Sequence, residues 1–147
     1  MRFARLGGAG IIACAKLCAP IMIKILCVDD DAEGMASRKE VLESEGHQVW
    51  QALSAREALR VMQSEDIDLA IVDYYLADAN GLALAVDMKR LKPALAIIML
   101  SGFGQLPGEG VGIANSWILK GSGPHQLLHA VKKIMEEKNR QRTITET

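Results

Sequence analysis

The sequence predicts an α/β domain, a parallel sheet covered by helices on both faces. Three observations carry this. Short apolar runs of strand length alternate along the chain with longer stretches of helical character. The runs are nearly unbroken in Ile, Val, Leu and Ala, as strands buried on both faces are. The chain has 147 residues, 50% of them apolar, which suits one domain with a real core.

IKILCV (23–28) is β-branched, apolar and short, and reads as the first buried strand. AEGMASRKEVLESEG (32–46) sets Met35, Val41 and Leu42 among charges, a helix with Asp31 at its N-cap and Gly46 at its C-terminal stop. HQVWQAL (47–53) is the second strand, and SARE (54–57) has the capping-box pattern that opens a helix running to about Ser64. DLAIVD (68–73) is the third strand. GLALAVDMKRLK (81–92) is helical and stops at Pro93. LAIIMLS (95–101) and NSWILK (115–120) are the fourth and fifth strands. PHQLLHAVKKIMEEK (124–138) is an amphipathic helix with Pro124 in its first turn, followed by a polar, frayed tail at 139–147.

Residues 1–21 differ from the rest. Arg2 and Arg5 precede a short apolar stretch containing Cys14 and Cys18, with no acidic residue. A signal or lipidation segment is one reading, and a pair of metal-binding thiolates is a weaker one. An extension upstream of a domain that starts at Met22 is the plainer one. Lys16 interrupts the stretch, so a membrane-spanning helix is not expected. The net charge of -1 argues against charge-driven nucleic-acid binding. Three cysteines make no disulfide framework, which points to a reducing, cytoplasmic setting.

Parallel sheets bind ligands outside the carboxyl ends of their strands. That rule gathers Asp29, Asp30 and Asp31 after strand one, Asp73 at the end of strand three, Ser101 after strand four and Lys120 after strand five. Carboxylates about 4 Å apart repel by about 4 kcal/mol at an effective dielectric of 20, so something must offset the cluster. A strand-end Asp alone is more often a helix cap, and a strand-end Lys alone is commonly solvated. Four polar strand ends at one sheet edge point to a site instead. A hard cation such as Mg2+ takes carboxylate oxygens, and a carboxylate can itself accept a phosphoryl group. Asp29 and Asp30 would hold the metal, Asp73 would attack, and Ser101 and Lys120 would hold the new phosphate.

KILCVDDD, DLAIVDYYLADANG, IIMLSG and WILK, in this order, resemble the receiver domain of two-component response regulators, over residues 22–138. The resemblance implies a flavodoxin-like five-stranded sheet of order 2-1-3-4-5. It also implies Asp73 as phosphoacceptor, Asp30 as direct metal ligand and Asp29 as a ligand acting mostly through water. The backbone carbonyl of Tyr75 completes the Mg2+ site. Ser101 and Trp117 match the switch pair, Lys120 the phosphate-binding lysine and Gly81 the glycine closing the loop after the acceptor. The implied partners are a histidine kinase or phosphotransfer protein and a downstream protein, with no catalysis beyond the domain's own phosphorylation and dephosphorylation.

Some positions depart from that pattern. Gly121 and Ala77 stand where the family has proline, leaving the placement of Lys120 less fixed. GFGQLPGEGVGIAN, between strands four and five, has five glycines and one proline, so the receiver's fourth helix is expected to be short, distorted or missing. Tyr75 and Phe103 stand two residues past the acceptor and the switch hydroxyl, where bulk would shield an acyl phosphate from water. The leading expectation is a stand-alone receiver, with no room for a DNA-binding domain after residue 138. A degenerate receiver that docks without phosphate is the alternative. An Asp73-dependent phosphatase is disfavoured, because Tyr75 replaces the second acid such enzymes carry.

Overall fold

The structure is a computed structural model that describes residues 22–102 and 112–146. Five strands form one parallel sheet: β1 (Lys24–Val28), β2 (Gln48–Ala52), β3 (Leu69–Asp73), β4 (Ala96–Ser101) and β5 (Ser116–Leu119). Their order is β2-β1-β3-β4-β5, as expected. Four described helices connect or follow them: α1 (Ala32–Ser44), α2 (Ala55–Ser64), α3 (Gly81–Leu91) and α4 (Pro124–Glu146).

Alternate residues of each central strand serve opposite faces. Leu26, Val28, Ala70, Val72, Ile97 and Met99 pack against Ala58 and Met62 of α2 and Leu84 and Met88 of α3. Ile25, Cys27, Ile71, Ile98 and Leu100 pack against Met35 and Leu42 of α1 and Leu127, Val131 and Ile134 of α4. Cys27 is an inert core residue, its thiol pushed up to about 12 by burial.

Local chemistry explains the helix ends. At the end of α1, the N–H of Gly46 (φ +92°) donates to Glu43 O at 2.9 Å and that of His47 to Leu42 O at 3.3 Å. This crossed pair is a Schellman motif, which needs the left-handed backbone that glycine adopts without strain. Ser54 Oγ accepts the Glu57 N–H at 3.2 Å, the forward half of the capping box. The return half is shifted, because Glu57 Oε1 accepts from the Leu53 N–H at 3.1 Å instead of from Ser54.

Two expectations are corrected. Asp31 holds the N-cap position of α1, but its side chain makes no capping bond. Its backbone N–H donates to Asp29 Oδ1 at 2.9 Å. The last helix does not stop at residue 138. It runs to Glu146, since Asn139–Glu146 contain neither Gly nor Pro, and Lys138 Nζ donates to Asp68 O at 3.3 Å beside it. The turn after Asp73 is fastened by Asp78, which accepts the Ala55 N–H at 3.0 Å and the Arg56 N–H at 3.4 Å at the start of α2. That cross-chain cap has no local sequence signal. Among the described residues between β4 and β5 there is no helix. The expected fourth helix, Phe103 and the segment 1–21 lie outside the described residues.

Candidate functional site

Because all five strands run the same way, their carboxyl ends open on one edge, and the polar residues found there come together. Asp29 (0% exposed), Asp73 (5%) and Ser101 (2%) are buried, whereas Asp30 is exposed. Carboxylate oxygens of Asp29, Asp30 and Asp73 lie within 4.8 Å of one another. Three hard oxygen donors at this spacing suit a divalent cation such as Mg2+.

Lys120 reaches in from the end of β5. Its Nζ donates to Asp73 Oδ2 at 2.9 Å and to Asp29 Oδ1 at 3.2 Å, while its N–H donates to Ser101 O at 2.6 Å. Lys120 is therefore fixed without proline after it. Gly121 instead takes φ +89°, a conformation closed to proline.

The electrostatics follow from the packing. Burial pushes the Asp29 carboxyl up, but the Asp31 N–H, the Lys120 hydrogen bond and the charges of Arg38 and Lys120 outweigh it and hold Asp29 below the usual range. Asp73 lies above the usual range, first because of burial and then because of the Asp29 charge, with Lys120 opposing both. For Lys120, burial favours the neutral amine, yet its bonds to Asp73 and Asp29 prevail and raise it.

Gly81 is placed by close approach. The start of α3 crosses the end of β3, with the Gly81 N–H donating to Tyr74 O at 2.7 Å. A Cβ there would lie 2.1 Å from the Asp73 carbonyl oxygen. Trp117 packs against the cluster that contains Val72 and Met99, its ring centroid 6.0 Å from that of Tyr74. Tyr75 is 56% exposed and meets Tyr74 edge-on at 4.8 Å.

Arg38 was not foreseen. On α1, one turn after Gly34, it pairs through Nη2 with Asp29 Oδ2. The signal available in the sequence was a small residue four positions before an arginine on the helix that follows the acidic run.

Comparisons with known proteins identify the family and the fold. The chain belongs to the response regulator receiver domain family, whose model matches residues 25–132. It is similar to the regulatory protein VanR of Enterococcus faecium, at 34% identity over 74% of this chain and 48% of VanR. It is also similar to the transcriptional regulatory protein GlrR of Escherichia coli, at 34% identity over 56% of this chain and 19% of GlrR. The chain thus spans half or less of the length of these curated relatives. A CheY-like receiver domain from Methanospirillum hungatei matches with a TM-score of 0.77 and 31% identity, covering 82% of this chain and 99% of that one. The response regulator TrrA of Thermotoga maritima, solved with Mg(2+)-BeF, matches with a TM-score of 0.71 and 29% identity, over 76% of this chain and 98% of TrrA. Among the described residues, no helix is long and apolar enough to cross a membrane.

Proposed function

We propose that this receiver accepts a phosphoryl group on Asp73 from a histidine kinase or phosphotransfer protein and relays the change to a protein partner. The observation that carries the reading is the convergence of three carboxylates within 4.8 Å, with Lys120 Nζ 2.9 Å from Asp73. Asp29, Asp30, Asp73 and the Tyr75 carbonyl would hold Mg2+. When bound, the ion neutralises charge on the phosphoryl oxygens. Asp73 forms the new P–O bond as the donor's P–N bond breaks, the electron pair leaving with the histidine nitrogen. Lys120 stays beside the product to balance its added charge of about -1. Ser101 hydrogen-bonds a phosphoryl oxygen, and Trp117 turns toward the space this leaves.

Incubation with acetyl phosphate and Mg2+ is expected to add one phosphoryl mass to wild type and none to Asp73→Asn. Equal labelling of both proteins would overturn the reading. Asp30→Ala is expected to lose most Mg2+ affinity, measured by calorimetry, because it removes a ligand exposed to incoming metal. Retained affinity would place the metal elsewhere.

The alternative, docking without phosphate, is favoured by the glycine-rich stretch between β4 and β5. Beryllofluoride is expected to change hydrogen-exchange protection within residues 101–125, and no change there would favour docking. The phosphorylated form is expected to hydrolyse slowly. Tyr75 lacks the amide or carboxylate that would orient the attacking water, so Tyr75→Asn should release phosphate faster.

A further inference from the structure

We infer that Arg38 is a built-in competitor of the divalent cation, occupying Asp29 until the metal displaces it; this rests on the metal-site reading above. Both oxygens of Asp29 are engaged in the structure. Oδ1 accepts the Asp31 N–H at 2.9 Å and Lys120 Nζ at 3.2 Å, and Oδ2 accepts Arg38 Nη2 and lies 3.0 Å from Lys120 Nζ. Three donor groups make four close contacts with this carboxylate, so a metal or its water competes with a donor to reach Asp29.

Arg38 is the donor free to leave. The Asp31 N–H is backbone, and Lys120 is anchored to Asp73 and through its own N–H to Ser101. Arg38 is held at one end of its guanidinium. Its Nε is buried and has no hydrogen-bond partner, so no second bond resists rotation of the head. The space to receive the displaced side chain adjoins it: a cleft of about 370 Å³ lined by Gly34, Ser37, Val41, Ile118 and Leu127.

Charge sets the sign of the effect. Without metal, Arg38 and Lys120 oppose three carboxylates and leave one negative charge in excess, enough to hold the acidic cluster together. With a divalent ion present, the same two cations overshoot neutrality, and the guanidinium repels the ion it adjoins. Arg38 therefore stabilises the metal-free site and weakens the loaded one.

Calorimetric titration of Mg2+ into wild type and Arg38→Met tests this. The variant is expected to bind about tenfold more tightly, a factor corresponding to about 1.4 kcal/mol. Arg38→Lys keeps the cation and is expected to stay near wild type, a split that a merely structural role would not produce. Arg38→Gln keeps a donor but loses the charge, and supplies the neutral variant should Arg38→Met not fold. Equal or weaker binding by the neutral variants, or tight binding by Arg38→Lys, overturns the inference and leaves the receiver reading intact. Failure of every protein, wild type included, to bind Mg2+ overturns both.

Discussion

Gly81→Ala is expected to destabilise the domain by about 3 kcal/mol, the upper end of the range for overpacking. The added methyl would sit 2.1 Å from the Asp73 carbonyl oxygen and 2.9 Å from both the Asp73 carbonyl carbon and Tyr74 Cα. All three obstacles are backbone. No rotamer change relieves them, so β3 and α3 must separate at Asp73 itself. The same shift would displace the Asp73 carboxylate from Lys120, and phosphorylation should fall together with stability. Urea unfolding gives the measurement, with Gly102→Ala as control. Among the described residues nothing lies within 4 Å of a Cβ built at Gly102, and its change should stay within about 0.5 kcal/mol. A loss below about 1 kcal/mol at Gly81 would show that the helix start can move aside.

Lys120→Ala is expected to cut the rate of phosphorylation by about 100- to 1,000-fold, the cost of removing one preorganised charge from a developing oxyanion. Lys120 is the one described cation within hydrogen-bonding distance of Asp73. Arg38 cannot replace it, because its described ion pair is to Asp29. The same variant should bind Mg2+ at least as tightly as wild type, since a cation is lost while all three carboxylates remain. This opposition separates electrostatic loss from misfolding, which would lower both. Labelling by acetyl phosphate and calorimetric titration give the two readings. A variant that phosphorylates at the wild-type rate would remove Lys120 from the proposed mechanism.

The pH dependence of stability should carry two signs. Asp29, held below the ordinary carboxylate range, contributes stability that is present above its unfolded value of about 3.8 and is lost as pH falls through its lower folded value. Asp73, raised above that value, acts in the opposite direction: its contribution is present below about 3.8 and is lost as pH rises through its folded value. Asp73→Asn should therefore steepen the loss of stability on acidification, measured by urea midpoints across this range. An unchanged profile would show that the two carboxylates do not titrate against each other.

The strands, their common direction and the gathering of Asp29, Asp73, Ser101 and Lys120 at one edge were legible in the sequence. Apolar runs of strand length separated by helices admit essentially one handed, parallel arrangement, and a parallel arrangement puts every strand end on the same side. Gly81 was legible as a position, but its reason, the passage of α3 over the Asp73 carbonyl, was not. Partner choice was decided only by the tertiary structure. Asp31 gave its backbone N–H to Asp29 and left α1 without a side-chain cap, Asp78 capped a helix 22 residues before it in the chain, and Arg38 reached Asp29 across the turn between β1 and α1. Tyr75 turned outward although its neighbour Tyr74 packed inward. Periodicity says which face of an element is buried. It does not say which of several donors a buried carboxylate takes, because that depends on distances between segments far apart in the chain, which exist only once the sheet has closed around them.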